Sequence, residues 1–255
     1  IGQVSSTTRD ITLSSIQYVS GNVTTTKWTG TIVITGDVIV PAGNTLTIGG
    51  GTSVLFAFSD QNTDGVGDWD ITVNGTLIVD GSDAAPVLFT AGTSTHKTPK
   101  AWNRVRINGA GSVITGAIFE YAQTAIELQN GATLIDVILR KSTTGVEATN
   151  GTSSWDNVTL TENENNGVQF NGPAVVTATG CTFEKNGWSG AYLMASNAKL
   201  NLSKSRVQGN GRTGLEFGGA SGGTITKNLI TQNAWEGVRL WTSGSDPNPV
   251  INYNN

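Results

Sequence analysis

NGWSGAYLM (186–194), NGRTGLEFG (210–218) and NAWEGVRLW (233–241) share one plan: an Asn, a Gly four residues later, then an apolar–x–apolar triplet. The triplet recurs upstream at Val105, Ile126, Val146 and Val168, and continues at Ala191, Leu215 and Val238, at intervals of 20 to 24 residues. A second ladder keeps the same register. Asn163, Asn186, Asn210 and Asn233 each follow an apolar residue (Leu160, Phe183, Val207, Ile230) by three places. A recurring period near 22 is the signature of stacked repeats, each burying its apolar side against its neighbours.

The repeats are strands rather than helices. GTITKNLITQN (223–233) is apolar at alternate places and bounded by Gly and Asn, a period of two that belongs to a strand. The L-x-x-L-x-L-x-x-N pattern of leucine-rich repeats is missing. Stacking such coils with all strands in the same sense predicts an all-β, single-stranded parallel β-helix, a solenoid of about 22 residues per coil. At ~4.8 Å per coil, roughly 10–12 coils make a rod ~50 Å long.

Composition agrees. Of 255 residues only 13% are charged, 33 are Gly, and the formal net charge is −4. Gly and Asn suit corners, while Thr and Val suit strands. The acidic balance argues against a nucleic-acid partner, and no apolar run is long enough for membrane insertion. Cys181 is alone, so there is no disulfide framework. The expected organisation is one domain over 1–255: an N-terminal cap (1–25), opening coils (26–100) with a loop insertion at 59–70, and regular coils (101–255). VINYNN (250–255) aligns with TITKNL (224–229), which predicts a chain that stops in mid-coil, a monomer within a larger protein.

The N-x-x-x-G-apolar-x-apolar corners resemble the right-handed parallel β-helix repeats of secreted and surface proteins and of many polysaccharide-active enzymes. The opening stretch 28–56, with ITVNGTLIVDGSDAAPVLFTAG (71–92), looks like the first coils of large bacterial and archaeal surface proteins of this type. The resemblance covers nearly the whole chain. It implies an extracellular or cell-surface location and a carbohydrate-facing role, but the architecture hosts lyases, hydrolases, adhesins and scaffolds alike.

Strand alternation makes the middle residue of each triplet face outward, forming a line of Arg106, Glu127, Glu147, Gln169, Tyr192, Glu216 and Arg239. Three residues earlier lies a corner line of Trp102, Gln123, Thr143, Asn165, Trp188, Arg212 and Trp235, with Glu236 and Trp241 bordering the same face. A guanidinium on one coil fits between two indoles on its neighbours, each contact worth ~0.5–2 kcal/mol. The functional reading is a sugar-binding strip rimmed by Trp102, Trp188, Trp235 and Trp241. The structural reading is a covered corner.

Glu127 and Glu147 are adjacent on the ladder, and two carboxyls ~5–5.5 Å apart suit retaining glycoside hydrolysis if one is raised in pKa by the other. A uronate lyase would instead need a base such as Tyr192 beside Arg212 or Arg239. DQNTDGVGDWD (60–70) places Asp60, Asn62, Asp64, Val66 and Asp68 at positions 1, 3, 5, 7 and 9 of a calcium loop, with Asp70 one place short of the final ligand. It resembles the loops of thrombospondin type 3 and dockerin-like repeats and predicts structural Ca²⁺. The expected function is an extracellular module that binds or acts on a polysaccharide or cell-surface glycan, a lyase or hydrolase if it is an enzyme. The alternative is a non-catalytic stalk or adhesin repeat.

Overall fold

The computed structural model describes residues 16–242 and 245–255. The chain winds as a parallel β-solenoid of about 23 residues per turn. Each strand pairs in parallel with its counterpart one coil on, which builds three stacked faces. The first face runs from Thr26–Trp28 through Thr45–Gly49 to Lys199–Ser203, Gly222–Thr226 and Asn248–Asn252. The second includes Ser53–Phe56, Val87–Ala91, Thr182–Glu184, Arg206–Gln208 and Leu229–Thr231. The third carries the triplets: Trp102–Ile107, Ala122–Leu128, Thr144–Ala148, Val168–Phe170, Ala191–Leu193, Leu215–Phe217 and Val238–Leu240. Ile16–Asn22, expected within the cap, is already a strand paired with Thr31–Val40. The rest of the expected cap, 1–15, lies outside the described residues. Val250 and Ile251 pair with Thr224 and Ile225, the register that the alignment of VINYNN with TITKNL requires.

Because the coils are in register, like side chains stack on like inside. Phe89 lies on Phe119 with ring centroids 4.2 Å apart, and Phe56 lies on Trp102 at 4.1 Å. Cys181 belongs to this core, and burial pushes its thiol pKa up to about 11, leaving it unreactive.

The Asn ladder is the polar counterpart of that core. Asn163, Asn186 and Asn210 are each 1–2% exposed. Each Nδ2 donates to the Oδ1 of the Asn one coil on, at 2.9, 3.0 and 2.8 Å. It also donates to a backbone carbonyl of the coil before, of Leu139, Leu160 and Phe183 respectively. Each Oδ1 in turn accepts a backbone N–H from the coil before, so Asn186 and Asn210 use both amide hydrogens and the carbonyl oxygen. The Gly four residues after each Asn is explained by the same packing. A Cβ on Gly190 would sit 2.7 Å from the Gly214 carbonyl and 3.2 Å from the Asn210 amide. A shorter ladder, Asn228 to Asn254, repeats the arrangement on another corner at 3.0 Å. Its sequence signal is the same, an Asn three residues after Ile225 and after Ile251.

In these same two corners the residue just before the ladder position is left-handed. Between the first and second faces, Gly116, Asp136, Asn157, Gly180, Lys204, Lys227 and Tyr253 all have φ between 51° and 65°. Between the second and third, Tyr121, Lys141, Glu162, Lys185, Gly209 and Gln232 lie between 53° and 69°. One left-handed residue per corner turns the chain sharply. It costs a non-glycine residue ~1–2 kcal/mol, which neighbouring coils offset through backbone bonds such as Lys227 N–H to the Tyr253 carbonyl at 3.1 Å.

Replacing Asn186 by Ala removes both of its amide donors and strands the buried Asn163 N–H. Denaturant unfolding should show a loss on the order of 3–5 kcal/mol. Asn233→Ala, at the end of the ladder, should cost clearly less.

Candidate functional site

The third face places the expected outward line in one column. Arg106, Glu127, Glu147, Gln169, Tyr192, Glu216 and Arg239 are successive register partners. The column is polar but not freely exposed. Glu127 and Glu216 are each 5% exposed, because flanking side chains on neighbouring coils close over them.

At its C-terminal end the column borders an alternating stack of indoles and guanidiniums. The backbone N–H of Trp188 bonds to Asn165, that of Arg212 to Trp188 and that of Trp235 to Arg212, so these residues occupy one slot on consecutive coils. The Arg212 guanidinium lies 4.4 Å from the Trp188 ring centroid and 5.3 Å from that of Trp235. Arg239 extends the series, 5.7 Å from Trp235 and 3.9 Å from Trp241. Glu216 anchors the end: its Oε1 accepts the Trp241 indole N–H at 2.5 Å and its Oε2 accepts the Ser189 hydroxyl at 2.8 Å. Glu236 accepts from Thr213 and lies 3.9 Å from Arg239. Trp188, Trp235 and Trp241 nevertheless remain 41%, 55% and 39% exposed. The sandwich expected of this slot is therefore present, and it is longer than the sequence indicated.

Trp102 departs from expectation. It is fully buried, stacked on Phe56, with its indole N–H donated to the Glu120 carbonyl at 2.9 Å. The coils from Asn163 onward make an Asn turn before the triplet, and that turn swings the slot residue outward. Trp102–Ile107 instead runs straight through the corner, and strand alternation carries Trp102 inward. A bulge at Ala125 moves Gln123 out of the slot as well, so that Trp102 is paired with Ala122.

Glu127 and Glu147 are opposite each other in adjacent strands, but Glu127 is not the raised carboxyl that acid catalysis requires. Burial works to raise the Glu127 pKa. Hydrogen bonds from Arg104 and Gln129, with the charges of Arg104 and Arg106, outweigh it and hold the carboxyl below the usual glutamate value. Arg104 Nη1 reaches Glu127 at 2.6 Å and Arg106 Nε at 3.1 Å. Glu147 accepts from Thr124 at 3.0 Å and Asn171 at 3.3 Å. Glu127 is thus an ion-pair partner, not a proton donor. Tyr192 fares no better as a base, since burial and the nearby Glu216 push its pKa up and keep the phenol protonated.

In the 59–70 insertion, Asp60, Asn62 and Asp64 converge on one turn. The Asp60 carboxylate accepts from the Asp64 and Gly65 N–H groups at 3.0 and 3.1 Å. Asn62 Oδ1 accepts from Asp64 N–H, and Asp64 Oδ1 from Val66 N–H. Asp68 folds back to accept from Gln61 N–H at 2.8 Å. Asp70 is not part of this group. It opens the strand Asp70–Val73, in register with Arg104, because the loop has already ended. Among the described residues no three His, Cys, Asp or Glu side chains gather as a metal-binding group.

Asp70 matters for another reason. Its Oδ1 is buried without a hydrogen-bond partner. Burial, aided by Asp37 and opposed by Arg104 and Arg106, raises its pKa from 3.8 to about 6. A carboxyl raised on folding favours the native state while protonated. Its contribution is complete below the unfolded value near 4 and is lost as pH rises through about 6. Asp70→Asn should therefore stabilise the protein by about 1–3 kcal/mol at pH 7.5 and change little at pH 4, as read from melting temperatures at both values.

With this geometry established, comparison with known proteins identifies the architecture. The family model "Right handed beta helix region" matches residues 103–255. The crystal structure of pectate lyase Pel9A superposes with a TM-score of 0.52 at 13% identity, over 88% of this chain and 69% of that one. At that identity the likeness is one of fold. The comparison with curated proteins found no match. The triplet column, the Asn corners and the family match over the regular coils agree: this chain belongs to the right-handed β-helix family.

Proposed function

We propose that this β-helix binds an extended polysaccharide along its third face, outside the cell or at its surface, and holds it without cleaving it. One observation carries the reading. Three indoles stay exposed on a surface where arginines and Glu216 fix their orientation. Fixed aromatic faces lose little side-chain freedom on binding, and they suit the apolar faces of pyranose rings. Gln169, Tyr192 and Arg239 on the adjoining column supply hydrogen-bonding groups for sugar hydroxyls. The pectate lyase named above shares the solenoid, which supports a carbohydrate ligand by fold analogy alone.

Binding is favoured over cleavage by the condition of the candidate catalytic groups. Glu127 is held ionised between two arginines, Glu147 is occupied by Thr124 and Asn171, and Tyr192 keeps its proton. We also assign a structural Ca²⁺ to the insertion, with Asp60, Asn62, Asp64, the Val66 carbonyl and Asp68 as its protein ligands. The support is their spacing and the convergence of the first three.

Two measurements test these readings. Tryptophan fluorescence should shift on titration with a bound polysaccharide, and Trp188→Ala with Trp235→Ala should weaken binding by about tenfold or more. No response to any sugar across a glycan array would leave a stalk as the function. Calorimetry should show Ca²⁺ binding, and EDTA should lower the melting temperature; an unchanged melting temperature rules the ion out.

A further inference from the structure

On the second face, away from the indoles, the surface carries a groove of about 540 Å³ lined by Lys204, Arg206, Lys227 and Tyr253 among others. No acidic side chain lines it. All three cations are exposed, and none is in an ion pair among the described residues. The molecule's net charge is −4, and the four arginines near the third face, with Arg140 on the second, instead point at carboxylates or indoles.

The arrangement is imposed by the fold. Lys204 and Lys227 occupy the same left-handed corner on consecutive coils, at φ 51° and 57°, and Tyr253 follows at 53°. The repeat therefore sets Lys204 and Lys227 on adjacent coils, ~4.8 Å apart, with Arg206 two residues from Lys204 on the same coil. Arg206 is in register with Leu229, which is 41% exposed, while Tyr253 is 85% exposed. Glu184, on the same face, accepts from Gln208 and does not line the groove. The groove thus pairs a row of unneutralised cations with an apolar and an aromatic surface.

We propose that this groove is a second binding site, specific for an anionic glycan. The carboxylates or sulfates of successive sugars would meet Lys204, Arg206 and Lys227, while ring C–H groups lie on Tyr253 and Leu229. A bare inorganic anion would use only the cations. A neutral glycan would leave three charges unanswered. The site uses none of the third-face strip and does not depend on it.

The test is calorimetric titration of the intact chain with alginate, dextran sulfate, neutral dextran and inorganic phosphate at low ionic strength. The expected result is binding of alginate, dextran sulfate or both. Alginate alone identifies a carboxylate ligand, and dextran sulfate alone a sulfate ligand. Binding should fade towards ~1 M salt, where screening reaches within ~3 Å. Lys204→Gln with Lys227→Gln should weaken it by about tenfold. Gln232 adopts the same backbone conformation at φ 56°, so the double variant should fold, which its melting temperature checks. Lys97→Gln, at an exposed cation that belongs to neither site, should leave this binding unchanged, which separates the groove from the loss of a charge alone. The proposal is overturned if neither polyanion binds, if neutral dextran binds equally well, if phosphate alone binds, or if the double variant binds like the parent.

Discussion

A carboxamide can donate to and accept from a copy of itself lying directly above it and still has a second N–H for a backbone carbonyl. The Asn163–Asn186–Asn210–Asn233 ladder uses that property at each step, inside a corner where water is excluded. A slip of one residue between coils would break every bond in the ladder and leave buried amides unpaired, at a cost of roughly 1–3 kcal/mol each. The ladder therefore sets register as well as stability. Gly190 and Gly214 are its corollary, since the amide of the next coil occupies the space a Cβ would need.

The character of the third face follows from where that ladder begins. From Asn163 onward each coil enters the triplet through an Asn turn, and the residue two places after the Asn projects into solvent. Trp188, Arg212 and Trp235 are exposed for that reason. Trp102–Ile107 and Ala122–Leu128 instead begin as strands at the corner itself, and Trp102 becomes a core residue against Phe56. One face thus has two parts. Its N-terminal part is an ion-pair network in which Arg104 and Arg106 neutralise Glu127. Its C-terminal part is a stack of exposed indoles and guanidiniums.

The same stacking explains how a protein of negative net charge keeps a local row of cations. In a solenoid a side chain's neighbours are set by the period, so residues 23 apart in sequence, such as Lys204 and Lys227, become adjacent in space. Whether a charge is answered depends on what stands one coil above and below it. Glu127 has arginines on the coil before it. The groove cations have Tyr253 and Leu229 instead.

The sequence alone determined the solenoid, its parallel strands, the outward column from Arg106 to Arg239 and the slot shared by Trp188, Arg212 and Trp235. These depend on local periodicities of two and about 23 residues, which are visible in one dimension. Tertiary structure alone decided which side chains near those positions are free. Trp102 is buried because its strand has no turn before it. Glu127 loses the role of acid because Arg104, two residues before its register partner Arg106, folds across to it. Asp70 leaves the calcium-type loop because its strand begins there. That Lys204, Lys227 and Glu162 take up left-handed backbone was also illegible, since Lys and Glu carry no local preference for that conformation and adopt it only where the coils on either side hold it. Burial and pairing are properties of the contact between coils, and no single coil encodes them.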